Sequence, residues 1–71
     1  MLAILNMLHF ARFADAELVG DEIHVTGPHG HRLIVSEYRD GYAVRATSGD
    51  PAARVCDDSR DVIDEIKGWG D

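Results

Sequence analysis

The sequence contains a single cysteine, Cys56, so no disulfide bond can form within the chain. Non-covalent contacts must therefore hold the fold, and an unpaired thiol favours a reducing compartment. A nucleophilic thiol needs a nearby base and a positive environment that lowers its pKa. Cys56 is instead followed directly by Asp57 and Asp58. We therefore expect Cys56 to be a structural residue that is at least partly buried.

Basic residues are scarce. Seven Lys and Arg stand against 13 Asp and Glu, which gives a formal net charge of -6 and a pI near 4.9. Proteins that bind nucleic acid displace counterions with Lys and Arg, so we expect no direct contact with nucleic acid. An acidic surface suits a basic protein partner, although moderate charge also keeps a small domain soluble without any partner.

Long apolar runs are absent. No segment reaches the roughly 18 consecutive apolar residues that cross a bilayer, and no Lys or Arg precedes the apolar run of residues 1–13, as a secretory signal would require. We therefore expect a cytoplasmic protein without a membrane segment. With 71 residues, of which 45% are hydrophobic and 28% charged, the chain is one small folded domain, 1–71.

Motifs for catalysis and for cofactor binding are also missing. Residues 27–30 lack the Lys-Ser/Thr ending of a phosphate loop, and no Ser-His-Asp pattern has a recognisable context. His24, His29 and His31 lie around one predicted turn, but this spacing does not force three ligands to converge as a zinc site requires. We predict no catalytic residue, no metal and no cofactor, and leave the role of these histidines open.

Alternating apolar residues predict a three-stranded antiparallel meander over residues 22–47. They are Ile23, Val25, Leu33, Val35, Val44 and Ala46. The strands are predicted at 22–26, from 31 or 32 to 38, and at 42–47, with Gly-rich turns between them. With Asp40 and Gly41 as the second hairpin loop, Arg39 faces Tyr42 and Val35 faces Ala46.

Weaker strand signals lie on both sides of the meander. Residues 15–20 are predicted to be a connector that contains a short extended piece at 17–19, and Gly20-Asp21 then turns the chain into the first central strand. A loop is predicted at 48–51, and a fourth, edge strand at 53–56. The sheet is therefore expected to have three or four strands.

An N-terminal helix is predicted over residues 1–14, which contain good helix formers and no Gly or Pro. Asn6, His9 and Arg12 form one narrow polar stripe, so the remaining surface is unusually apolar. Such a helix either packs in the core, pairs with another chain or enters a partner groove. The pattern leaves open whether the helix is packed, mobile or an association surface.

A C-terminal amphipathic helix is predicted over residues 58–68. Val62, Ile63, Ile66 and Trp69 fall at i, i+1, i+4 and i+7, and this stripe should pack on the sheet. Asp57, Asp58 or Ser59 can cap its start and Gly68 can end it. The whole chain is therefore predicted to be α+β, with a helix, an antiparallel meander and a second helix.

The C-terminal helix also carries the densest group of carboxylates in the chain. The candidate partner-binding residues are Asp57, Asp58, Asp61, Asp64 and Glu65, with Asp21 and Glu22 as a second acidic pair. Acidic groups in a first helical turn also favour the helix dipole, so part of this group has a purely structural reason. The expected partner is a protein with a basic surface, and we expect a monomer rather than a homodimer.

In size, charge and element order, the full chain resembles the small phage-encoded anti-CRISPR proteins that inhibit type I systems. The resemblance implies a non-catalytic inhibitor in the cytoplasm of the host bacterium. Such an inhibitor would bind a Cas subunit of the Cascade surveillance complex and block DNA binding by mimicking phosphates. The carboxylates named above would make that contact.

A second resemblance is local. Residues 20–30, Gly-Asp-Glu-Ile-His-Val-Thr-Gly-Pro-His-Gly, are similar to the hairpin of N-terminal docking domains from peptide-synthetase assembly lines. The two helices that follow in that family are missing, because residues 42–47 indicate a strand. The alternative function is therefore a small docking or assembly module, which binds a partner or itself through the apolar N-terminal helix or the hairpin.

Overall fold

The computed structural model describes residues 1–47 and 52–69, so the loop predicted at 48–51 lies outside the described residues. The elements are α1 (Leu2–Phe10), β1 (Glu17–Val19), β2 (Glu22–Thr26), β3 (Arg32–Tyr38), β4 (Gly41–Ala46), β5 (Arg54–Cys56) and α2 (Ser59–Lys67). The strands form one antiparallel sheet in the order β1-β2-β3-β4-β5. The predicted α+β class is confirmed, but the sheet has five strands rather than three or four.

The alternation of side chains divides the sheet into a covered face and an open face. The covered face supplies Ile23, Val25, Leu33, Val35 and Val44, which are fully buried. Both helices add apolar side chains to the same cluster: Ile4 and Leu8 from α1, and Val62, Ile63 and Ile66 from α2. Removal of this apolar surface from water is the main stabilising term of so small a fold.

The predicted register of the β3–β4 hairpin is wrong. Tyr38 pairs with Gly41 and Val35 with Val44, so the two-residue loop is Arg39-Asp40 rather than Asp40-Gly41. Arg39 takes a positive φ of 55° at the first loop position. Because the pairing partners change by two residues, every side chain keeps its predicted face.

Contact with β5 explains this register. A Cβ at residue 41 would overlap the carbonyl oxygen of Cys56 on the neighbouring strand. Residue 41 must therefore be glycine, so that the backbones of β4 and β5 can approach closely. Arg39 instead adopts the left-handed conformation that the loop needs. Asp40-Gly41 correctly predicts a hairpin at this point of the sequence. The contact with β5 determines that Gly41 lies in the strand and not in the loop.

Helix α1 ends at Phe10, four residues before the predicted end at Ala14. The amide of Arg12 donates to the His9 carbonyl and the amide of Phe13 to the Leu8 carbonyl, with Arg12 at φ 73°. This is the hydrogen-bond pattern of a Schellman motif, which ends a helix with one left-handed residue. An arginine usually avoids that conformation, so helix propensity alone does not reveal the end.

Helix α2 matches its prediction closely. Asp58 is the N-cap and its carboxylate accepts a hydrogen bond from the Asp61 amide at 2.9 Å, while Gly68 is the C-cap. The apolar stripe packs on the sheet, and Trp69 is buried with the guanidinium of Arg54 lying 4.4 Å from its ring centroid.

We predict that Gly41→Ala destabilises the protein by roughly 2 kcal/mol or more, because a methyl group at this position overlaps backbone atoms that cannot move aside. Gly68→Ala is the matched control, since its added methyl meets only ordinary contact with the Asp64 carbonyl oxygen at 3.6 Å. Chemical denaturation measures both variants. Equal stability of the Gly41→Ala protein and the wild type would contradict the close approach of β4 and β5.

Candidate functional site

The meander brings acidic residues that are distant in sequence to one end of the sheet. In an up-and-down sheet the β1–β2 turn, the β3–β4 turn and the end of β5 share the same end. Helix α2 starts there as well, directly after β5. We call this end the acidic end, and its carboxylates are Asp21, Glu22, Glu37, Asp40, Asp57 and Asp58.

These carboxylates form a row across the strands. Neighbouring strands are about 4.8 Å apart, so five strands span about 19 Å. The carboxylates come from three connections: Asp21 and Glu22 from the β1–β2 turn and the start of β2, Glu37 and Asp40 from the end of β3 and the turn after it, and Asp57 and Asp58 from the residues between β5 and α2. Arg39 adds one cation to the same row and lies 5.3 Å from the ring centroid of its neighbour Tyr38.

Two members of the row also have structural roles. Asp58 caps α2, as described above. Glu22 is half-buried, and its carboxylate lies 3.4 Å from the Arg45 guanidinium and 3.8 Å from the His24 imidazole. Asp21, Asp40 and Asp57 are exposed, and they carry most of the charge that a partner could reach.

The structure separates Asp64 and Glu65 from the acidic end. Helix α2 leads away from it, and the Ile66 carbonyl lies beside Gly27 in the β2–β3 turn at the opposite end of the sheet. Glu65 is half-buried and accepts a hydrogen bond from Arg54 at 3.0 Å. Asp64 is exposed on the helix surface. Glu65 therefore stabilises the β5–α2 contact, which leaves it little negative charge for a partner.

The thiol of Cys56 lies near several carboxylates of α2 and of the residues that precede it. It is buried, as expected. Burial raises the pKa of the Cys56 thiol, and the negative charges of Glu65, Asp61, Asp57 and Asp58 raise it further. Asp57 and Asp58 follow Cys56 directly and Asp61 lies in the first turn of α2, whereas Glu65 lies further along that helix.

At the opposite end of the sheet two carboxylates of the described residues, Asp15 and Glu17, are paired with one arginine. Asp15 accepts hydrogen bonds from the Thr26 amide at 3.1 and 3.3 Å, and the Arg32 guanidinium lies 3.2 Å from Asp15 and 3.8 Å from Glu17. The hydrogen bonds from Thr26 and the charge of Arg32 hold the pKa of Asp15 below its usual range, against a smaller raising effect of burial. Among residues 1–47 and 52–69, Asp21, Asp40 and Asp57 are thus exposed at the acidic end, whereas Asp15 and Glu17 at the opposite end lie beside Arg32.

Helix α1 also leaves apolar surface in water. Phe10 is 92% exposed and Leu2 is 63% exposed, whereas Ile4 and Leu8 are buried. Phe10 borders a shallow groove between the helices, where Met7 and Ile63 also contribute. The helix therefore packs in the core through one stripe and presents the rest to solvent.

Sequence reasoning missed Glu37 and Asp40. The available signal was parity: in an antiparallel meander the first and third turns lie at the same end, so acids near residues 20 and 40 must be neighbours. His29 and His31 lie in the second turn, at the opposite end. Within residues 1–47 and 52–69, no three His, Cys, Asp or Glu side chains are arranged to hold a metal ion.

We predict that Asp57→Asn combined with Asp61→Asn lowers the thiol pKa of Cys56 toward its ordinary value, because two nearby negative charges are removed. The pH profile of alkylation by iodoacetamide measures this pKa. Asp64→Asn is the control, since Asp64 does not contribute to the raised pKa of the thiol. An unchanged profile in the double variant would mean that the charges of Asp57 and Asp61 do not act on the thiol.

Comparisons with known proteins and with structural families add no constraint. No protein-family model matches the chain, and neither curated proteins nor solved structures give a significant match. Among the described residues, no helix has the length and apolarity to span a membrane. Any function must therefore be inferred from the surface of this chain itself.

Proposed function

We propose that the protein is a non-catalytic inhibitor that binds a basic surface of another protein through the acidic end. The observation that supports this most directly is the row Asp21, Glu22, Glu37, Asp40, Asp57 and Asp58, which the meander gathers from three parts of the sequence. A protein surface that binds nucleic acid is rich in Lys and Arg. The row offers such a surface several carboxylates at one end of the molecule, and Asp21, Asp40 and Asp57 among them are exposed.

The distribution of charge favours this end of the molecule over the rest. Exposed carboxylates attract a basic partner over several ångströms and raise the rate of encounter. At the opposite end Arg32 already neutralises Asp15 and Glu17, so that end has less attraction for a cation. An oriented field also aligns the inhibitor before contact, which suits competition with a nucleic acid for one surface.

The specific target comes from the resemblance to anti-CRISPR proteins. On that reading, the partner is a Cas subunit of a type I Cascade complex, and occupation of its DNA-binding surface blocks target recognition. The inhibitor would act in the cytoplasm of a bacterial host. Size, charge and the helix-sheet-helix order support this target, and the acidic end supplies the contact.

We predict that excess protein lowers the affinity of a purified type I Cascade complex for its target DNA, as measured by fluorescence anisotropy. Asp40→Asn with Asp57→Asn should raise the inhibitory concentration roughly 5- to 10-fold and make inhibition less sensitive to salt. Glu17→Gln with Asp64→Asn is the matched control, because it removes the same charge away from the acidic end and should change inhibition less than about 2-fold.

Two results would contradict this proposal. DNA binding that is unaffected by a large excess of protein would exclude inhibition of that complex. Equal loss of inhibition in the two double variants would show that net charge, rather than the acidic end, controls the interaction.

A docking or assembly module is the second candidate, and the exposure of Phe10 favours it. An aromatic ring that is 92% exposed on a helix is an efficient interface anchor once a partner covers it. If α1 mediates self-association, light scattering should give the mass of a dimer, and Phe10→Ser should restore the monomer. Ala3→Ser, at another exposed position of α1, is the control. A wild-type monomer at all concentrations would exclude self-association.

A further inference from the structure

The two hairpins at the acidic end have different heights, and the step between them forms a notch. The β2–β3 ladder ends at the pair Ile23 and Val35, whereas the β3–β4 ladder continues to the pair Tyr38 and Gly41. The last residues of β3 therefore rise above the β1–β2 turn. The start of α1 adds to the lining, and the open notch has a volume of about 830 Å³.

The notch combines exposed apolar side chains with carboxylates. Its apolar members are Leu2, Leu18 and Val19, which are 63%, 40% and 46% exposed. Its charged members are Asp21, Glu22 and Glu37. The lining residues, all within the described part of the chain, include no Lys, Arg or His.

The combination of apolar side chains and carboxylates limits the kind of ligand that the notch can bind. A phosphate or another anion would be repelled by the carboxylates. Of the three, Glu22 already has Arg45 beside it, so a purely apolar ligand would leave Asp21 and Glu37 without a counter-charge. A second copy of this chain brings a net charge of -6 to an already acidic notch. A protein segment with an aliphatic side chain between Lys or Arg residues satisfies both parts of the lining.

We propose that the notch binds such a segment, a short basic stretch of the partner protein with an aliphatic residue at its centre. The aliphatic side chain packs against Leu2 and Leu18, and the flanking cations lie near Asp21 and Glu37. The inference rests on the proposed function, because the notch opens at the acidic end. It adds that the partner is recognised by shape and apolar contact as well as by charge.

Two labelled heptapeptides test the notch by fluorescence anisotropy. In the first, a central leucine lies between two pairs of Lys and Arg; in the second, serine replaces the leucine. The full-length wild type should bind the leucine peptide at least about 5-fold more tightly than the serine peptide, because only leucine buries apolar surface in the notch. Leu18→Ser and, independently, Leu2→Ser should remove that preference. Both side chains are partly exposed, so neither change threatens the core.

Matched variants distinguish binding in the notch from non-specific electrostatic attraction between the acidic protein and a basic peptide. Val55→Ser, an exposed aliphatic change on the edge strand β5, should retain the preference for leucine. Asp21→Asn with Glu37→Gln should weaken binding of both peptides more than Glu17→Gln with Asp64→Asn does. Circular dichroism and thermal melting of each variant confirm that the fold is retained.

The outcomes distinguish the notch from the acidic end. Equal affinity for the two peptides, with both weakened by Asp40→Asn and Asp57→Asn, would overturn the notch and leave the acidic end supported. A preference for leucine that survives both Leu18→Ser and Leu2→Ser would also overturn the notch. Failure of both peptides to bind at millimolar concentration would overturn the notch, whereas the acidic end is tested separately by inhibition of DNA binding with the full-length protein.

Discussion

The antiparallel pairing of five strands is the constraint on which the rest of the structure depends. It forces side chains to alternate, so that Ile23, Val25, Leu33, Val35 and Val44 share one face and both helices can bury them. It also forces alternate turns to share one end of the sheet. The first consequence forms the core, and the second forms the acidic end.

Charge pairing decides which parts of that surface can attract a partner. Arg32 pairs with Asp15 and Glu17 at one end of the sheet. Arg54 on β5 pairs with Glu65 on α2, and Arg45 pairs with Glu22 on the open face of the sheet. Each of these exposed ion pairs contributes little to stability. Together they matter more for attraction, because in the described part of the chain they place cations beside Asp15, Glu17, Glu22 and Glu65 and leave Asp21, Asp40 and Asp57 exposed. At the acidic end, these three residues project from three different connections.

The two short hairpins show how one residue type can serve different purposes. Gly20, at φ 61°, supplies the left-handed conformation in the β1–β2 turn, whereas Arg39 holds that conformation in the β3–β4 turn. Gly41 lies in strand β4 rather than in the β3–β4 turn, because β5 approaches its backbone too closely for a side chain. The longer β3–β4 hairpin that results stands above its neighbour. This difference in height creates the notch beside Leu18 and Glu37.

The sequence by itself determined the element order, the strand period and the apolar stripe of α2, because these follow from local spacing and capping groups such as Asp58 and Gly68. It also identified Asp21, Glu22, Asp57 and Asp58 as one chemical class. Only the tertiary structure placed Glu37 and Asp40 between these two acidic pairs, at the same end of the sheet. It also showed that Glu65 forms an ion pair with Arg54. It likewise decided that α1 stops at Phe10 and that Gly41 lies in a strand. These outcomes depend on contacts between residues far apart in the chain, and no local pattern encodes the distance between two strands.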